Sequence, residues 1–185
     1  MPLPPATPGR KLKHSRVFNV EFFHREDGLW EIDARLTDTK THDVALTCGV
    51  LHAHQPIHDL LLRLTVGDDA NIVDAVAVMD SVPFAGYCDT ISPTYKKLIG
   101  LNVMFGFRQG IKERFSGVDG CTHLNELAMI LPDAAVQVFA FEKRKDPSLK
   151  DREKKPFELD NCHALRSEGP AVALYYPRWA VKPEK

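Results

Sequence analysis

Apolar and polar positions alternate along the first half of the chain and then change period. Val17 to Phe23 is an apolar, β-prone run, and after it Trp30, Ile32, Ala34 and Leu36 alternate with Glu31, Asp33 and Arg35. Asp27-Gly28 between the two runs is a turn signal, so the pattern predicts a hairpin. A third run, Val44 to Leu51, carries Cys48. In a fourth, His58, Leu60, Leu62, Leu64 and Val66 share one strand face, with Asp59, Leu61, Arg63 and Thr65 on the other. Gly67-Asp68-Asp69 then turns the chain into Ile72 to Met79, rich in β-branched residues. Together these runs predict an antiparallel sheet of about five strands.

Past Pro83 the apolar spacing becomes three and four. Tyr95 to Leu98 and Val103 to Phe115 read as amphipathic helical segments, ended by Gly117 and Gly120. The longest helical stripe starts at Cys121-Thr122 and runs to about Phe141 through Leu124, Leu127, Ala128, Leu131, Ala135 and Val138. Pro132 falls inside it and predicts a kink or a break. Residues 142–155 are mostly charged and read as a solvated connection. Pattern returns at Cys162-His163-Ala164-Leu165 and at Val172 to Tyr176. The order, strands first and helices after, predicts an α+β fold with the helices packed on one face of the sheet. Met1 to Arg16, proline-rich and then basic, reads as a flexible N-terminal arm, and residues 17–185 as one domain.

Composition narrows the function classes. The 185 residues are 44% hydrophobic and 26% charged, the balance of a globular chain with a core of its own. The formal net charge is -1, so no overall field recruits nucleic acid or anionic lipid. No window resembles a signal sequence or a membrane span, and the expectation is a cytoplasmic protein without membrane or nucleic-acid partners. Cys48, Cys88, Cys121 and Cys162 form no CxxC pair and read as thiols. No phosphate-binding loop, dinucleotide fingerprint, GxSxG, HExxH or EF-hand loop is present, so nucleotide cofactors and the common hydrolase chemistries lose support.

The remaining chemistry lies near element ends. His58-Asp59 opens a strand and Cys121-Thr122-His123 opens a helix, where backbone ends converge and clefts form. A cysteine at a helix N-terminus meets unpaired N–H groups and the positive end of the dipole, which favours thiolate. The competing readings are a buried inert Cys121, a core or rim His58, a plain helix-start His123, and an Asp59 that pairs with Arg63. His52 and His54 straddle a turn and read as exposed. Trp30 and Trp179 read as packing.

Several blocks carry a resemblance. Arg25-Glu26-Asp27-Gly28-Leu29-Trp30, Leu36-Thr37-Asp38-Thr39-Lys40, Ile57-His58-Asp59-Leu60 and Gly120-Cys121-Thr122-His123-Leu124 resemble a bacterial family known only as a domain of unknown function. Cys162-His163-Ala164-Leu165 and Tyr176-Pro177-Arg178-Trp179 resemble that family's tail. Its hosts are rich in aromatic catabolism, which implies an aromatic substrate. A more distant resemblance is to iron-sulfur cluster assembly scaffold proteins, whose antiparallel sheet is packed by helices. It implies ligand roles for Asp59, Cys88 and Cys121, with His58 where the scaffold has its leading cysteine. That departure weakens a cluster role, since thiolates are the usual cluster ligands.

The resulting expectation is an enzyme on a small-molecule substrate, a lyase, isomerase or hydrolase that uses no nucleotide. His58 is its general base, Asp59 or a neighbour orients that base, and His123 is the acid or an oxyanion donor. Should a metal take part, His58, Asp59, Cys88, Cys121 and His123 offer the mixed donors that zinc or iron accepts. The alternatives are a metal or iron-sulfur scaffold, a sulfur-transfer accessory, and an interaction module without chemistry. Oligomeric state is left open.

Overall fold

In the computed structural model the described residues are 3–145, 155, 156 and 158–182. They form two compact units, residues 1–140 and 141–185. The first is built on β1 (His14–His24), β2 (Trp30–Lys40), β5 (Pro56–Val66) and β6 (Ile72–Ser81), in the order β1-β2-β5-β6 with every neighbouring pair antiparallel. The sheet therefore has four strands rather than five. The expected third strand splits into β3 (Val44–Leu46) and β4 (Gly49–Leu51), a separate two-stranded ribbon. Its break is local: Gly49 sits at φ 143°, a conformation that favours glycine, and the run has no consistently buried face to join the sheet.

The alternation read from the sequence is real where apolar residues mark it. Trp30, Ile32, Ala34 and Leu36 of β2 and Leu60, Leu62, Leu64 and Val66 of β5 are buried and face the helices. The β1–β2 turn forms at Asp27-Gly28, with Gly28 at φ 84° and Asp27 accepting hydrogen bonds from Arg25 and the Leu29 amide. Strand β1 begins at His14, so the last three residues of the expected arm are already paired in the sheet.

A 3₁₀ run, Asp89–Leu98, buries Tyr95 and Leu98. Helix α1 (Phe107–Phe115) starts later than its periodicity suggested, because Gly106 turns into the left-handed region just before it. The long stripe divides into α2 (Thr122–Met129) and α3 (Leu131–Lys145), with Pro132 in the first turn of α3, where its missing N–H costs nothing. Phe107, Ile111 and Phe115 of α1, Leu124, Leu127 and Ala128 of α2, and Leu131, Ala135 and Phe139 of α3 complete one core with the inward sheet residues. The charged stretch expected at 142–155 begins inside α3, and residues 146–154 lie outside the described residues. The second unit holds α4 (Pro170–Tyr175) and buries Leu159 and Val172.

Burial depth sets the expected cost of truncation. Leu62 is 1% exposed and Val76 is 43% exposed. Leu62→Ala is expected to destabilise the first unit by about 2–5 kcal/mol and Val76→Ala by no more than about 1 kcal/mol, read as urea midpoints at unchanged slope.

Candidate functional site

At one end of the sheet the inward row changes from apolar to charged. Phe18, Leu36 and Leu60 stand side by side across β1, β2 and β5, and the next inward row is Arg16, Asp38 and His58. It is the last regular row between β2 and β5 before Ile57 bulges out of register. Asp38 is 1% exposed. Its Oδ1 accepts from Arg16 Nε and His14 Nε2, both at 2.8 Å, and its Oδ2 accepts from Arg16 Nη2 at 2.7 Å and His58 Nδ1 at 3.0 Å. A carboxylate has about four lone-pair sites, and these four donors fill them.

Helix α2 brings in the second imidazole. It packs on β2 and β5 through Leu124, Leu127 and Ala128, and this sets His123 of its first turn against His58, with ring centroids 3.8 Å apart and planes inclined at 35°. Glu126, three residues on and therefore on a neighbouring face, accepts from Arg16 Nη1 at 2.5 Å. Arg16 thus bridges the buried carboxylate of the sheet to the helix that carries His123.

Electrostatics follow from this packing. Burial alone would raise the Asp38 carboxyl; hydrogen bonds from Arg16, His14 and His58, with Arg16's charge, outweigh it and hold the group well below the carboxylate range. Burial lowers His58, Asp38 works against that, and Arg16 and His14 add to it; the net shift is downward. Burial, then His58 and Arg16, lower His123, against smaller opposing effects of Asp38 and Glu126. Both imidazoles are neutral at pH 7. Because a carboxylate only accepts, His58 carries its proton on Nδ1 and keeps a bare lone pair on Nε2.

The structure joins two of the expected residues and separates the others. His58 and His123 meet. Asp59 points to the opposite face of the sheet, where Arg35 holds it through two hydrogen bonds of 2.7 and 2.6 Å. It pairs neither with His58 nor with Arg63, which binds Asp33 across the strands. The reason is strand geometry: neighbouring residues face opposite ways, so a His-Asp dipeptide in β5 cannot act as a dyad. Among the described residues, the only group of three or more His, Cys, Asp or Glu donors lying within 4.8 Å of one another is Asp38, His58 and His123. Cys88 and Cys121 are half-buried thiols outside it, so the scaffold's ligand pattern is not assembled. His52 is exposed beside Asp43, and Cys48 donates to the Pro83 carbonyl. Asp38, Arg16, His14 and Glu126 had no role in the sequence reading, although one further step of the β2 alternation, from Leu36, lands on Asp38.

The donor group bears on metal binding. With its lone pairs filled, Asp38 ligates a metal only by giving up Arg16, His14 or His58. The residues free to hold zinc or iron are His58, through Nε2, and His123, with Asp38 behind His58 as an orienting carboxylate. A groove of about 390 Å³ lies elsewhere, on the outer sheet face between Glu21, Arg35, Leu61, Arg63 and Val78, and no histidine lines it.

The fold and site define an α+β protein whose four-stranded antiparallel sheet ends in a carboxylate-anchored histidine pair. The chain belongs to the family described as Protein of unknown function (DUF2889), which matches residues 14–137. The matched segment opens on His14 and contains every residue of the site. Comparison with curated proteins and with solved structures gives no match. Among the described residues no helix is long and apolar enough to cross a membrane.

The shifts have measurable consequences. In NMR titrations His58 and His123 are expected to titrate below the ordinary value of 6.5. Asp38→Asn is expected to lower His58 further, since Asp38 is what raises it, and His58→Ala to raise His123. Between each depressed value and 6.5 the unfolded chain binds protons that the folded chain refuses, so stability rises with pH through that window and levels off above it. Asp38 adds stability that is present above its ordinary 3.8 and is lost only as pH falls toward its depressed value. Thermal melts are expected to fall as pH drops below 6.5, less steeply in the double variant His58→Gln/His123→Gln.

Proposed function

We propose that this chain is a small-molecule enzyme of the lyase, isomerase or hydrolase type, in which His58 and His123 share proton transfer without a nucleotide cofactor. The observation that carries the reading is the saturated Asp38. A carboxylate with four donors, withdrawn from solvent, sets one tautomer of His58 and presents an unprotonated Nε2 at neutral pH. That is the arrangement a general base needs: the carboxylate orients the ring and stabilises the imidazolium once the proton arrives.

His123 supplies the complementary role. With its ring 3.8 Å from His58, a proton on His58 disfavours a proton on His123. A proton taken by His58 from one atom of a substrate can then be matched by delivery from the pair to another, as isomerisation and elimination require. The first turn of α2 has no side-chain cap at Cys121, and its amides support a negative charge developing beside His123. Asp59, Cys88 and Cys121 have no catalytic part in this scheme.

The test compares wild type with His58→Ala, His123→Ala and Asp38→Asn in conversion of a fractionated small-molecule extract, followed by mass spectrometry. Conversion present in wild type is expected to fall about 10²–10⁴-fold in His58→Ala and Asp38→Asn while the thermal transition persists. Conversion unchanged by both histidine variants would sink the reading. Chelator treatment is expected to leave activity intact. Loss on chelation that added zinc restores would make the two imidazoles ligands instead of base and acid.

A further inference from the structure

Tyr95 is fully buried, and its hydroxyl is the polar centre of the core beneath α2. It accepts the Cys121 N–H at 3.0 Å and lies 3.1 Å from the Cys121 carbonyl oxygen and 2.7 Å from Asn125 Oδ1, to which it donates. Asn125 Nδ2 in turn donates to the Phe115 carbonyl at the end of α1, at 2.7 Å. The Tyr95 ring stacks on Phe115, with centroids 4.6 Å apart and planes 13° from parallel. The network therefore ties the 3₁₀ run, the end of α1 and both flanks of His123, at Cys121 and Asn125, to one hydroxyl.

Two features make that tie decisive for the site. Helix α2 has only eight residues, too short to hold its own geometry, and Cys121 gives it no side-chain cap. Its apolar anchors, Leu124, Leu127 and Ala128, set the depth of the helix on the sheet, and apolar packing alone permits rotation and sliding. Beside the Arg16–Glu126 bond, the hydroxyl and amide supply directional bonds at Cys121 and Asn125, two residues to either side of the imidazole. Burial raises the Tyr95 hydroxyl, so it stays protonated and keeps its donor across the working pH range.

We propose that Tyr95, acting with Asn125, is a positioning residue that holds His123 against His58. This rests on the reading that the two histidines share proton transfer, but its test does not need a substrate. Imidazole titrations by NMR are compared in wild type, Tyr95→Phe, Asn125→Ala, the double variant and Phe115→Leu, which thins the stack but leaves the hydrogen bonds. Tyr95→Phe and Asn125→Ala are each expected to bring His123 back toward its ordinary value and to weaken its response to His58→Ala. Their double variant is expected to add little to either. Phe115→Leu is expected to lower the melting temperature without moving the His123 titration.

An unchanged His123 titration in Tyr95→Phe, or an equal change in Phe115→Leu at matched loss of stability, overturns the proposal and leaves Tyr95 as core packing. Where turnover can be followed, Tyr95→Phe is expected to lower kcat about tenfold or more with KM little changed, since small misplacements of a reacting group are that costly. If His123 moves as expected while no histidine variant affects conversion, the positioning role stands and the catalytic reading falls.

Discussion

A charged carboxylate almost removed from water is costly unless every lone pair finds a donor. Asp38 meets that demand with three side chains from two strands: His14 and Arg16 of β1, the latter through Nε and Nη2, and His58 of β5. Everything distinctive about this end of the molecule follows. The bond to His58 settles which ring nitrogen is bare, Arg16 adds to the lowering that burial imposes on both imidazoles while Asp38 opposes it, and the remaining Arg16 nitrogen reaches Glu126 and so ties α2 to the sheet. Such a network is sensitive to loss of any member, because one missing donor leaves a buried charge incompletely matched.

The site sits where regularity ends. The inward row is apolar from Trp30 to Leu36, turns polar at Asp38, and the ladder between β2 and β5 then breaks at the Ile57 bulge. A second irregularity separates Asp59 from Leu60 against β6. Regular pairing from Trp30 to Asp38 supplies rigidity, and past the bulge the β2–β5 ladder resumes only at the Thr39–Pro56 pair. On the opposite face Arg35 pairs with Asp59 and Arg63 with Asp33, so the sheet keeps these cross-strand ion pairs and the Asp38 cluster on separate sides.

Much of the fold was legible because apolar periodicity reports packing directly. The β2 and β5 faces, the Asp27-Gly28 turn and the break near Pro132 each rest on a local rule that tertiary structure did not overturn. The fifth strand failed because an apolar composition at Val44 to Leu51 hid a glycine-broken ribbon. At the site, His58 and His123 were visible as histidines at element ends. Asp38 was not, since a search for chemistry by neighbouring residues favours Asp59, while the sheet brings together residues twenty positions apart on facing strands. His14 and Arg16 were hidden by basic and proline-rich flanks that resemble an unpaired tail.

Strand β1 is an outer strand, bonded on one side only to β2. Exposed strand edges invite pairing with other chains, and proteins commonly blunt them with charge. Here three of the four hydrogen bonds to Asp38 come from the first residues of β1, so peeling that end away would strand a buried anion with His58 as its remaining partner. The same carboxylate that orients the imidazole therefore latches the edge strand to the sheet, so that loss of the latch would disturb the fold and the site together.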